Sequence, residues 1–193
     1  MKKYFFLFAF TFCVFLGNAQ GKFALQLSDS ALGLIDSSVQ YDPTYFVIKY
    51  PGGDVPAGKG VCTDVIIRAY RKLGIDLQKE VHEDMAKNFS KYPKTWGLKK
   101  PDTNIDHRRV PNLAVFFSKF GKVKSIETNP ALYVPGDIVT WILPGNLTHI
   151  GLVVNKKSAD GKRYMIVHNI GGGQVLEDVL FKYTVTGHYQ YQK

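Results

Sequence analysis

Apolar residues in this chain change their spacing near Asp137, and that change restricts the fold more than any other feature. Before it they recur every three or four positions, the period of one helical face. Leu25, Leu27, Leu32, Ile35 and Val39 predict a helix over Ala24 to Val39, ended by the Tyr41-Asp42-Pro43 turn. Tyr45 to Tyr50 reads as a short extended piece, and a glycine-rich loop, YPGGDVPAGKG, follows it. Further helices are expected from Val61 to Leu73, from Leu77 to Phe89, and from Val110 to Phe120 with Pro111 in its first turn. Tyr92 to Arg109 reads as a long ordered loop, a kind of segment that often carries function. After Asp137, five stretches punctuated by Gly, Pro, Asn and Asp read as strands: 138–143, 149–155, 163–169, 174–176 and 185–191. The reading is an α+β fold, with a helical first half packed on a small antiparallel meander.

The first nineteen residues read as a separate unit. Lys2 and Lys3 precede an apolar run from Tyr4 to Leu16, and Gly17-Asn18-Ala19 supplies small residues. This is the pattern of a secretory signal peptide cut after Ala19, and the run is short for a bilayer span. The expected product is an exported, periplasmic or extracellular protein whose residues 20–193 form a single domain. Its formal charge falls from +9 to +7 with the loss of the two lysines, a value compatible with solubility or with anionic envelope surfaces. The positive charges are spread along the chain, which with the compartment argues against nucleic acid.

Of the two cysteines, Cys13 lies in the leader, so Cys62 stands alone in the mature chain. An unpaired thiol in an oxidising compartment is an inert buried residue, an intermolecular link or a reactive group. Cys62 follows a glycine-rich loop and opens an amphipathic helix, where the positive end of the helix dipole favours thiolate. A base for it is sought among five histidines. His82 lies in the charged stretch KEVHEDM and reads as solvated, His107 sits in a polar loop, and His188 lies near the C-terminus. His149 (THIGLVV) and His168 (YMIVHNI) instead lie in apolar strands, where an imidazole is either hydrogen-bonded for structure or placed for chemistry. His149 is the candidate general base and His168 its orienter, with Asn169 as the rival, since adjacent strand residues face opposite ways.

The pieces YPGG, VCTDV, PGDIV, HIGLVV and IVHN, in that order, resemble the NlpC-type cell-wall peptidases, papain-fold enzymes that cut amide bonds of peptidoglycan stem peptides. The stretches YPGGDVP, GVCTDVIIRAYRKLG and PDTNIDHRRVPNL are similar to a little-characterised family of secreted bacterial proteins, a domain of unknown function grouped near those peptidases. The resemblance implies a papain-like fold and a Cys62–His149–His168 site acting through a thioester on a cell-wall peptide. It also implies Tyr50 as an oxyanion or substrate donor, an ordinary half-buried tyrosine being the alternative. Where those peptidases carry Asp-Cys-Ser-Gly, this chain has Val61-Cys62-Thr63-Asp64. Asp64 and Arg108 are candidate substrate contacts. For the polar loop 101–109, recognition of an anionic peptide, metal binding and an internal salt-bridge knot are weighed, with the knot preferred. No HExxH, paired-cysteine, calcium-loop, Walker or dinucleotide pattern occurs, so no metal and no cofactor is expected. Acyl transfer on the same dyad and a non-catalytic cell-wall-binding module are the alternative functions.

Overall fold

The computed structural model describes residues 21–193; the proposed leader, its cleavage point and Cys13 lie outside them. Helix α1 covers 21–32 of the described residues, followed by β1 (Gln40–Tyr41), β2 (Lys59–Gly60), α2 (Cys62–Arg71), α3 (Leu77–Asn88) and α4 (Val110–Phe120). Strands β3 (Lys122–Val123), β4 (Ile138–Leu143), β5 (Leu147–Lys157), β6 (Tyr164–His168), β7 (Val175–Glu177) and β8 (Thr184–Gln190) complete the chain. The architecture is mixed α+β.

The second half departs from a simple meander in one respect. Strands β4 to β7 are consecutive neighbours, but β8 crosses back to pair with β4, giving the antiparallel order β3-β8-β4-β5-β6-β7. Each sheet face has its own core. Ile138, Ile150, Leu152, Val154 and Val167 pack against Val65, Ile66, Ala69 and Tyr70 of α2, Leu113 and Phe117 of α4, and Leu27 of α1. Tyr133, Val139, Trp141, Val153, Ile166 and Leu180 pack on the other face. Alternation along β5 assigns its side chains to the two cores.

Other expectations change in detail. The first helix ends at residue 32 rather than Val39, because residues 34–36 join the Gln174 segment instead. Asp36 and Gln174 exchange backbone hydrogen bonds, and the Gln174 side chain donates to the Leu34 carbonyl at 2.6 Å. Residues 45–50 form no strand; the Ile48 N–H is taken by the Asn104 side chain at 2.9 Å. The loop 92–109 contains a short 3-10 turn, Asp106–Arg108, whose three residues are all buried.

Candidate active site

Helix α2 begins at Cys62, and the loop before it is held from below. The Asp64 carboxylate, in the first turn, accepts the Val61 N–H at 2.7 Å. Its two oxygens also meet Arg108, at 3.1 Å from both Nε and Nη2. The guanidinium donates in addition to the carbonyls of Thr44 (3.1 Å) and Asp42 (3.3 Å). Both side chains are almost fully buried, at 2% and 3% exposed for Arg108 and Asp64. Asp64 and Arg108 therefore bind each other and the strand leading from β1, and their charged atoms are not presented to a substrate. For Arg108 the internal ion pair of the knot reading is the arrangement present.

Cys62 is 5% exposed and lines a groove of about 630 Å³ together with His149. The backbone N–H groups of Ile150, Thr63 and Cys62 itself all favour a charge on its sulfur. Burial outweighs them and pushes the thiol up to about 12, with the Asp64 carboxylate adding to the rise. Of the two forms open for the pair, thiolate with imidazolium or thiol with neutral imidazole, burial favours the second and opposes the helix dipole. The Ile150 amide places the sulfur against β5, at the residue that follows His149 in the chain.

His149 and His168 lie on neighbouring strands, with Nε2 of the first 3.0 Å from Nδ1 of the second. Gly151 makes room for this approach. A Cβ there would lie 2.5 Å from Ile166 Cγ2 and 3.2 Å from His168 Cβ. His168 Nε2 in turn lies 2.9 Å from Glu177 Oε2 on β7, off the hydrogen-bond axis but close enough for electrostatic attraction. A carboxylate at that nitrogen favours the tautomer with the His168 proton on Nε2. Nδ1 of His168 then accepts from His149 Nε2–H, which leaves the lone pair on His149 Nδ1. Burial, with the His168 charge a smaller cause, pushes His149 down to about 3, so the imidazole rests neutral. Trp141 flanks it at 5.8 Å between ring centroids. Asn169 points elsewhere, donating to the Gly60 carbonyl at 3.4 Å and accepting the Gly171 N–H at 3.0 Å.

Tyr50 is not part of this groove. The Gln78 side chain on α3 pins its loop by accepting the Gly53 N–H (2.8 Å) and donating to the Lys49 and Thr103 carbonyls (2.9 and 3.1 Å). The Tyr50 ring packs edge-on to His82, 5.2 Å away. Tyr41 lines the groove instead, brought there by the parallel pairing of Tyr41 with Gly60 in the β1–β2 ladder. Burial and the neighbouring Cys62 and Asp64 raise its hydroxyl above the ordinary value, so it is a hydrogen-bond donor at neutral pH. The sequence signals Tyr41 only as part of a turn, and Glu177 as one charge on a short strand.

The other three histidines, His82, His107 and His188, do not line this groove. His82 Nδ1 meets the buried Asp106 at 2.8 Å, so it is not merely solvated. His107 is buried and pushed down to about 3, chiefly by desolvation and then by Arg108. His188 is fully buried between the Asp137 carboxylate (2.6 Å) and the Ser125 carbonyl (2.7 Å), and stacks on Tyr133 at 4.2 Å. Among the described residues no group of three or more His, Cys, Asp or Glu is placed to hold a metal.

The family model for a domain of unknown function, DUF1287, matches residues 28–191. The uncharacterized protein YijF of Escherichia coli strain K12 is 53% identical over 167 residues, 86% of this chain and 81% of that protein. No solved structure matches the chain significantly. With nearly the whole described chain under one family model, the protein belongs to the DUF1287 family.

Proposed function

We propose that this protein is an exported cysteine amidase or peptidase of papain-like type, acting on a peptidoglycan-type peptide. The observation that carries the reading is the run of side chains from the groove into the sheet. Cys62 and His149 line one groove, and His149 is backed by His168 at 3.0 Å and then by Glu177. A thiol and a histidine oriented by a second polar group, lining one groove, are the residue types that nucleophilic acyl transfer uses.

The resting pair is neutral thiol and neutral imidazole. As Sγ attacks the carbonyl carbon, His149 Nδ1 takes the thiol proton, and the new imidazolium is stabilised by His168 and Glu177 behind it. The tetrahedral oxyanion is met by donors at the start of α2, and the Tyr41 hydroxyl serves as a further donor in the groove. His149 then gives its proton to the leaving amine, releasing it and leaving a Cys62 thioester. Water, deprotonated by the same imidazole, hydrolyses the thioester and restores the thiol. Within the described residues no helix is long and apolar enough to cross a membrane.

The buried, protonated thiol favours a second reading, a cell-wall-binding domain without chemistry. Incubation with peptidoglycan fragments separates the two. The enzyme yields new amine and carboxyl termini by mass spectrometry, and Cys62→Ala abolishes them while leaving the circular dichroism unchanged. Unaltered fragments with the wild-type protein, or full cleavage by Cys62→Ala, would overturn the enzymatic reading.

A further inference from the structure

Arg108 and Arg109 are neighbours with opposite fates. Arg108 ends the 3-10 turn, whereas Arg109 has extended backbone, φ −108° and ψ 116°, at the start of α4. Arg108 turns inward to Asp64. Arg109 lines the groove that holds Cys62 and His149, and its guanidinium lies 4.0 Å from the centroid of the Trp96 ring, another groove residue. Among the described residues it makes no ion pair, and its Nε is buried without a hydrogen-bond partner. The groove lining contains no Asp or Glu, and its other cation, Arg108, already has a carboxylate.

A guanidinium held over an indole beside a second arginine, without an ion pair, carries an uncompensated charge. Stacking returns about 0.5–2 kcal/mol of its desolvation, while the planar fork that matches a carboxylate stays unused. The cost is retained at the mouth of a groove whose volume suits a small peptide segment.

We propose that Arg109 is a carboxylate-binding subsite of this groove, so that the substrate is an anionic peptide with a free carboxylate near the bond that Cys62 attacks. This rests on the enzymatic reading for the role of Cys62 but not for the binding itself. Trp96 holds the guanidinium in place, and its two terminal nitrogens supply N–H donors to the two carboxylate oxygens. Substrates are then selected by charge at this subsite, while the Cys62–His149 pair acts on the amide.

The test measures binding and cleavage separately. Stem peptides released from peptidoglycan, and the same peptides with their carboxylates converted to carboxamides, are titrated calorimetrically into Cys62→Ala protein. The acidic peptides are expected to bind roughly 10- to 100-fold more tightly, the range for hydrogen bonds to a charged group. Adding Arg109→Gln should remove the preference, and Arg109→Lys should restore only part of it. Lys156→Gln, an equal loss of charge at an exposed position, should leave it intact. Equal affinity for acid and amide forms, no measurable binding of the acid forms, or an unchanged preference in Arg109→Gln would each overturn the subsite. Tight, Arg109-dependent binding without cleavage by the wild-type protein would sustain the subsite and remove the enzymatic reading instead.

Discussion

Replacing Arg108 with methionine distinguishes an internal anchor from a substrate contact. The guanidinium makes two bonds to Asp64 and one each to the carbonyls of Asp42 and Thr44, with 2% of the side chain exposed. Methionine keeps most of the volume but leaves the Asp64 carboxylate at 3% exposure with the Val61 N–H as its remaining partner. Removing one member of a buried pair costs about 3–5 kcal/mol, because the other charge stays buried and uncompensated. At about 2–4 °C per kcal/mol for a chain of this size, the melting temperature should fall by about 6–20 °C. Equilibrium urea unfolding at pH 7, followed by the fluorescence of Trp96 and Trp141, should show a lower midpoint with an unchanged slope. Adding Asp64→Asn removes the stranded charge while keeping an acceptor for Val61, so the double variant should be more stable than the summed single losses by about 0.5–3 kcal/mol. A loss below about 1 kcal/mol in Arg108→Met, or strictly additive single losses, would refute the anchor.

Glu177→Ala should lower kcat on peptidoglycan fragments by about 10-fold or more with little change in KM, because Glu177 acts through His168 on the imidazole and not on substrate. Its pH–rate profile should shift as well, which a merely structural carboxylate would not produce. Gly151→Ala should cost about 1–3 kcal/mol by overpacking against Ile166 and His168, visible as a lowered urea midpoint. Stability should also fall with acid. His107 and His149, held at about 3 by burial, lie below the ordinary 6.5, so the unfolded chain binds more protons between those values. Their contribution is complete above pH 6.5 and is lost as pH falls towards 3, with a slope of up to about 1.4 kcal/mol per pH unit for each. Urea midpoints measured from pH 7 to pH 4 check this, and His107→Asn should flatten the curve.

Much of the site was legible in residue order. A cysteine opening an amphipathic helix, and histidines in two apolar strands, mark Cys62, His149 and His168 as candidates without coordinates. Local features of this kind depend on residues within a few positions of each other, where period and capping apply. Strand alternation also narrows the orienter to one of His168 and Asn169, but which of them faces His149 depends on the register of β5 against β6.

The sequence by itself determined the α+β division, the positions of α2, α3 and α4 to within a residue or two at most boundaries, and the thiol of Cys62 at a helix start. Tertiary structure decided which polar groups meet. Pairing β1 with β2 exchanges Tyr50 for Tyr41 in the groove, and β7 brings Glu177 to His168. The buried Asp64–Arg108 pair turns one arginine inward and leaves Arg109 facing the groove. Burial also opposes the helix dipole at Cys62. These outcomes depend on distances across the fold and on the loss of water around each group, and neither quantity is carried by any local run of residues.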